Sequence, residues 1–263
     1  MKCKWIKKLT AGIIFLAAVG SLSGCQKAAT SENLFRDIEV NMTSVESAEE
    51  NQIVKLQMGD GDSAISQESN LDIEMTRNPA SVHRKGQQKT NMAGTKETQE
   101  MESYQVEEDG KTVIYSGTDQ AWEKNVVEEK ETSSQQTVVF DGLQNLSGAF
   151  SVSQDLATVN KEECFELTGT ISGTQFQETF ADTLKALLGE DSSDLSGWNL
   201  QASEDEENNE ELQQKLNNVK VDCVIDIYRS NILPAKITFD LTDYLKAAGE
   251  ENAQVTSYTL EVT

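Results

Sequence analysis

The sequence predicts an α+β fold with an antiparallel sheet, because strand patterns dominate and helical patterns lie between two groups of strands. Apolar and polar side chains alternate at Leu71–Met75 and again at Val219–Tyr228, the two-residue period of strands with one buried face. An apolar stripe at helical spacing, Thr174–Leu188, lies between these groups. We therefore expect a sheet with one dry face and at least one helix packed on it.

The first group of strands reads as a meander. The run that contains Leu71 ends at Asn78-Pro79, and Ser81–Lys89 and Thr98–Glu107 can follow as strands. Glu108-Asp109-Gly110-Lys111 has the composition of a hairpin turn, and Thr112–Tyr115 and Ala121–Lys124 return after it. The preceding segment, Phe35–Met58, has a mixed pattern that predicts no single element.

Helical patterns occupy the middle of the chain. Phe140–Phe150 predicts a short helix. In Thr174–Leu188, Thr174 and Gln177 have the spacing of a capping box, and Gly189 fits the C-terminal stop. The acidic segment Glu204–Asn218 is either a solvated helix or a mobile connection. Three strands are expected after it, at Val219–Tyr228, Leu233–Leu241 and Val255–Val262.

The first 25 residues have the order of an export signal. Lysines at 2, 4, 7 and 8 precede an uncharged apolar run at Leu9–Val19, which is too short to span a bilayer, and small residues lead to Cys25. We divide the chain into a signal peptide at 1–24, a polar tether at 25–33 and one folded domain at 34–263. An ordinary cleavable signal, in which Cys25 is incidental, is the alternative.

The charge of the chain restricts its partners. Loss of the four lysines of the signal takes the net charge from −23 to −27. Such an acidic protein repels nucleic acid phosphates and anionic lipids. We therefore exclude nucleic acid as a partner, and we expect any attachment to a membrane to depend on acyl chains. The sequence names no protein partner.

Cys164 and Cys223 are the cysteines that follow Cys25. Export makes a disulfide between them permissible. Two buried free thiols fit equally well, because an unpaired cysteine behaves as a small apolar residue. The sequence leaves both alternatives open.

The residues that catalysis or metal binding requires are scarce. His83 is the single histidine and has no nucleophile and orienting acid in a triad pattern. Asp60-Gly61-Asp62 begins like a calcium loop, but the position of the closing carboxylate is Leu71. We therefore predict no catalytic residue, no metal site and no cofactor.

Several features together resemble a known family. They are Leu22-Ser23-Gly24 before Cys25, Pro79-Ala80-Ser81-Val82-His83, Tyr115 followed by Trp122-Glu123-Lys124, and the closing hairpin Val221–Tyr228/Leu233–Asp240. They are similar to a lipobox and to the domain of uncharacterised Gram-positive lipoproteins related to the LolA and LppX carriers. The resemblance implies a diacylglycerol anchor on Cys25, with palmitate-type chains, at the outer face of the cytoplasmic membrane.

The resemblance also implies a curved antiparallel sheet, a half-barrel, with helices packed on its concave side around an apolar hollow. In this chain Leu34–Met58 lacks the long amphipathic helix with which such domains often open. The side chains expected to line the hollow are Phe176, Phe180, Leu184, Ile225, Ile227, Ile237 and Phe239. A filled core made of the same residues is the alternative.

Three functions follow from these observations. The first is a non-catalytic binder or carrier of a hydrophobic, lipid-like ligand. The second is a structural or protein-interaction lipoprotein of the cell envelope with a filled core. A hydrolase of wall or lipid material ranks last, because no nucleophile and base pair is identifiable.

Overall fold

Long antiparallel strands make up most of the computed structural model, which describes residues 29–59, 64–92, 94–118, 121–127, 143–188, 206–248 and 255–263. The strands are β1 (Ser47–Met58), β2 (Ile65–Arg77), β3 (Ala80–Met92), β4 (Thr95–Glu108), β5 (Lys111–Thr118), β6 (Ala121–Val127), β7 (Phe150–Val159), β8 (Glu162–Ser172), β9 (Lys220–Tyr228), β10 (Pro234–Asp240) and β11 (Val255–Val262). The helices are α1 (Ser31–Met42), α2 (Leu143–Leu146), α3 (Gly173–Leu188), α4 (Glu206–Asn217) and α5 (Thr242–Ala248).

The strands form one open sheet in the order β6-β5-β4-β3-β2-β1-β11-β10-β9-β8-β7. Each pair of neighbouring strands is antiparallel. Strand β11 lies between β1 and β10, so it joins the β1–β6 meander to the β7–β10 group. The predicted α+β class with an antiparallel sheet is confirmed.

One face of the sheet carries the main core, and we call it the inner face. Helix α3 contacts β8 and β9 there, and α5 contacts β9 and β11. The buried side chains of these strands and helices form one cluster, which includes Leu167, Ile171, Phe176, Phe180, Val221, Ile225, Ile227, Ile237, Phe239, Tyr244, Tyr258 and Leu260. Their alternate neighbours face the opposite side, the outer face.

The hairpin between β4 and β5 has the predicted turn. Glu108 pairs with Lys111, and the two residues between them have positive φ angles, 52° at Asp109 and 73° at Gly110. Two positive angles define the turn that matches the twist of paired strands, and glycine adopts the second at little cost.

The capping box of α3 lies two residues before the predicted one. Ser172, not Thr174, provides the hydroxyl that accepts a hydrogen bond from a backbone N–H of the first turn, that of Gln175. In return, the side-chain oxygen of Gln175 accepts a hydrogen bond from the backbone N–H of Ser172. The hydroxyl of Thr174 instead donates to Asn217 of α4. The acidic segment before β9 is helical from Glu206 to Asn217, and Gly189 lies outside the described residues.

The start of the domain also differs from the sequence prediction. Helix α1 begins at Ser31, so the last three residues of the predicted tether are helical. Leu34, Phe35 and Ile38 of this helix are buried in the core. A helix of 12 residues with one buried side therefore occupies the first part of the segment whose mixed pattern predicts no single element.

In the structure Cys164 and Cys223 are both buried, and their thiols are free. Cys164 pairs with Tyr228, whereas Cys223 pairs with Gly169 on the same two strands. Residues an odd number of positions apart on a strand face opposite sides of a sheet. Cys223 accordingly lies in the inner core, and Cys164 packs on the outer face with Val159 and Ala235.

Candidate functional site

Six of the seven predicted lining residues lie together in the main core. The ring centroid of Phe239 is 5.2 Å from that of Phe176 and 4.9 Å from that of Phe180. Ile225, Ile227 and Ile237 belong to the same buried cluster. These contacts are those of a filled core at this end of the sheet, because neighbouring side chains occupy the space between helix and strands. The side chain of Leu184 lies outside the described residues.

A second apolar cluster lies on the inner face of the β1–β6 meander. Leu71, Ile73 and Met75 of β2 pack with Val82 of β3, and Ala48 and Met101 border them. Ile73 is only 3% exposed. The cluster is separate from the core that α3 and α5 cover. It is the candidate site, and we call it the meander patch.

The pairing register arranges the meander patch in three rows across the strands. The first row is Ala48, Met75 and Val82; the second is Glu50, Ile73 and Arg84; the third is Gln52, Leu71, Gly86 and Met101. Paired residues of antiparallel strands point to the same face. Two charged residues and an amide therefore share the apolar face; we call Glu50, Gln52 and Arg84 the polar trio.

Gln52 is the most deeply buried polar residue of the patch. Its side chain lies between its pairing partners Leu71 and Val262, and the residue is 1% exposed. The Oε1 atom has no hydrogen-bond partner. A buried acceptor without a donor costs about 1–3 kcal/mol of folding free energy. Such an atom is satisfied when a ligand or a bound water donates to it.

Glu50 and Arg84 flank Ile73 from opposite sides. Burial raises the pKa of the Glu50 carboxyl to about 7, and the positive charge of Arg84 opposes this rise. Burial likewise lowers the pKa of the Arg84 guanidinium, against the effect of Glu50. The Nε atom of Arg84 is buried without a partner. The site thus holds a carboxyl and a guanidinium that are both partly desolvated.

Gly86, in the third row, lies at a position that admits no side chain. A β-carbon there would lie 1.9 Å from the backbone oxygen of Asn70. The backbones of β2 and β3 therefore approach each other closely beside Leu71. This leaves the patch without a side chain between Leu71 and Met101.

The outer face of the meander is polar and aromatic. A depression of about 270 Å³ on β2 and β3 is lined by Glu68, Asn70, Asp72, Gly86, Gln87 and Lys89. These polar groups do not suit an apolar ligand. Nearby, His83 stacks on Tyr104 with ring centroids 4.2 Å apart, and Trp122 lies 5.6 Å from Tyr104. Tyr104 is 38% exposed and Trp122 44% exposed.

The described part of the chain contains neither a metal-binding cluster nor a membrane-spanning helix. Within it, no group of three or more His, Cys, Asp or Glu side chains is arranged to hold a metal ion. None of the helices described there combines the length and the apolar character needed to cross a bilayer. Cys25, the predicted lipidation site, lies outside the described residues.

The family model described as "Family of unknown function (DUF6612)" matches residues 30–258. A comparison with curated protein sequences gives no match.

Solved structures give distant likenesses. Lipoprotein LppX of Mycobacterium tuberculosis is 15% identical over 89% of this chain and 92% of its own, with a TM-score of 0.41. LprF from Mycobacterium bovis is 11% identical over 89% and 90%, with a TM-score of 0.45. A DUF1329 family protein from Desulfovibrio piger is 10% identical over 89% and 90%, with a TM-score of 0.22.

Proposed function

The chain belongs to the family of unknown function DUF6612, and we propose that it is a non-catalytic lipoprotein that binds a hydrophobic, lipid-like ligand on the meander patch. Anchoring through an acylated Cys25 at the outer face of the cytoplasmic membrane is part of the proposal. The observation that carries it is a buried apolar cluster with unpaired polar atoms, separate from the filled core.

The chemistry of the patch supports a ligand that is mostly apolar. Leu71, Ile73, Met75 and Val82 offer no group for catalysis, and apolar side chains of this kind are the usual lining of small-molecule sites. A few polar groups among apolar ones are typical of small-molecule sites, where they fix orientation. The polar trio supplies such groups.

Native mass spectrometry of the full-length protein, released from nonionic detergent micelles, tests the binding. We expect wild type to retain added phospholipid, and Ile73→Lys to lose it because a charge then lies in the apolar patch. Asp72→Lys is the matched control, since Asp72 is the next residue on the same strand but faces outward. If Ile73→Lys does not fold, Met101→Lys at the half-buried margin replaces it. Equal retention by the patch variant and its control would contradict the site.

The anchor has its own test. Metabolic labelling with radioactive palmitate should label wild type and leave Cys25→Ala unlabelled. The variant should also leave the membrane fraction, because acyl chains are then the sole attachment of a strongly acidic protein. Equal label on both proteins would refute anchoring without affecting the proposed ligand.

A protein-interaction role is the second candidate, and the exposed outer-face aromatics favour it. Tyr104 and Trp122 are exposed on the outer face, and Val126, four residues after Trp122 on β6, is 50% exposed. Exposed aromatic residues are enriched at protein interfaces. A wild-type protein that never retains lipid, together with loss of an in-cell cross-link in Trp122→Ala, would favour this function over ligand binding.

A further inference from the structure

We infer that the polar trio binds the head group of a zwitterionic amphiphile, with its ammonium at Glu50 and Gln52 on β1 and its anionic group at Arg84 on β3. This inference rests on the proposed function and specifies the ligand class. It assigns the apolar tails to Met75 and Val82, in the row next to Glu50 and Arg84.

The acceptors of the site lie on one strand. Glu50 and Gln52 are two positions apart on β1, so both side chains leave the same face of the sheet. The carboxylate of Glu50 accepts hydrogen bonds only, and the Oε1 atom of Gln52 is a buried acceptor without a donor. A group with several N–H donors satisfies both.

The donor of the site lies two strands away. Arg84 follows Val82 on the same face of β3, and its Nε atom is buried without an acceptor. Strands are spaced about 4.8 Å apart, which puts the α-carbons of Glu50 and Arg84 roughly 10 Å apart. Ile73 lies between them. Side chains of this length reach toward one ligand from both sides.

Charge complementarity selects a zwitterion. A purely anionic head would bring its charge beside Glu50, and a purely cationic head would bring its charge beside Arg84. A head with both charges places each one opposite its complement, and hydrogen bonds to charged groups are stronger than neutral ones. Phosphoethanolamine has this arrangement and also supplies N–H donors for Gln52.

The experiment compares three phospholipids with identical acyl chains. The full-length protein in nonionic detergent receives an equimolar mixture of phosphatidylethanolamine, phosphatidylcholine and phosphatidylglycerol, and native mass spectrometry measures the bound ratio. We expect at least tenfold more phosphatidylethanolamine than phosphatidylglycerol. Phosphatidylcholine should lie between them, because its trimethylammonium carries the charge without an N–H donor.

Single variants identify the residues that cause the preference among the three phospholipids. Gln52→Leu should remove the preference for phosphatidylethanolamine over phosphatidylcholine, and Arg84→Gln should weaken binding of both zwitterions at least fivefold. Gln57→Leu is the matched control, since Gln57 lies on the same strand but is exposed on the outer face. A variant that merely disturbed folding would change total binding and leave the ratio between the lipids unchanged.

The outcomes separate the two proposals. Equal binding of all three lipids by wild type, or an unchanged ratio in Gln52→Leu, would overturn the head-group site and leave lipid binding intact. Retention of no lipid would overturn both. Displacement of bound lipid by free glycerophosphoethanolamine at equal concentration would show that the head group alone is recognised, which would overturn the assignment of tails to the patch.

Discussion

Ser172 and Gln175 cap helix α3 reciprocally. The backbone N–H of Gln175 donates to the Ser172 hydroxyl at 3.1 Å, and the backbone N–H of Ser172 donates to Oε1 of Gln175 at 3.0 Å. Ser172→Ala should lower the free energy of unfolding by about 1 kcal/mol in urea titrations. The double variant with Gln175→Ala should cost less than the two single changes together. A larger loss of unfolding free energy in Thr174→Ala than in Ser172→Ala would indicate that Thr174 caps the helix, as the sequence predicts.

The ring of Phe239 contacts the rings of both Phe176 and Phe180 in the core. Phe239→Ala should lower the free energy of unfolding by about 3–5 kcal/mol, because truncation removes apolar contacts and leaves a cavity. Chemical denaturation measures this loss. Leu156→Ala is the control: Leu156 is 44% exposed on β7, so it should change the stability by less than about 1 kcal/mol. A small loss at Phe239 would indicate a loosely filled interior.

Gly86→Ala should destabilise the protein, because the added β-carbon would lie 1.9 Å from the carbonyl oxygen of Asn70. Forcing these backbones apart should lower the free energy of unfolding by about 1–3 kcal/mol or more. The matched control is Gly148→Ala, where no atom lies within 4 Å of the added carbon. Thermal unfolding should show a lower midpoint for the first variant alone. Equal midpoints would contradict the close approach of β2 and β3.

The stability of the protein should depend on pH through Glu50. Its pKa rises from 4.5 in the unfolded chain to about 7 in the folded protein. The folded state therefore binds this proton more tightly, so the free energy of unfolding should fall as the pH rises from 4.5 to 7. The change attributable to Glu50 is roughly 1–3 kcal/mol.

Glu50→Gln tests this dependence, since an amide does not titrate. Urea titrations at pH 4.5, 6 and 8 should show a flatter profile than wild type. Glu49→Gln is the control, because the neighbouring Glu49 is exposed on the outer face, and it should keep the wild-type slope. An unchanged slope in Glu50→Gln would mean that the carboxyl is not desolvated.

Cys164 and Cys223 should both resist alkylation in the folded protein. Both thiols are buried, and burial raises the pKa of each, which suppresses the reactive thiolate. Mass spectrometry after treatment with N-ethylmaleimide should find neither residue modified without urea and both modified in it. A reducing agent should leave the urea midpoint unchanged. A mass lower by two hydrogens in the unreduced protein would contradict the free thiols.

Strands with one wet and one dry face could be predicted from the sequence. Leu71, Ile73 and Met75 alternate with acidic residues, and burial of one face produces that period directly. Strand β7 could not be recognised this way, because it is an edge strand with few apolar residues and its pairing with β8 shifts register between Val152 and Leu156. Short helix α1 was missed because only Leu34, Phe35 and Ile38 mark its buried side.

The polar trio was missed for a different reason. Glu50, Gln52 and Arg84 are polar, and polar residues on strands ordinarily mark the solvent face. Only the pairing register reveals that they share a face with Leu71 and Ile73. A sequence signal did exist: Glu50 and Gln52 are in phase with Ala48 and Val54, and Arg84 is in phase with Val82. The sequence alone does not show which strands pair, so it could not show that these positions lie on a buried face.

Strand β11 has a consequence for when the protein can fold. Its residues, 255–262, connect β1 to β10, so hydrogen bonding between the two halves of the sheet requires a segment that follows both halves in the chain. The hairpins of β1–β6 pair strands that are consecutive in the chain, so they can form early in folding. The two halves would therefore stay unpaired until β11 is added between them, and its pairing with β1 and β10 would join them into one sheet.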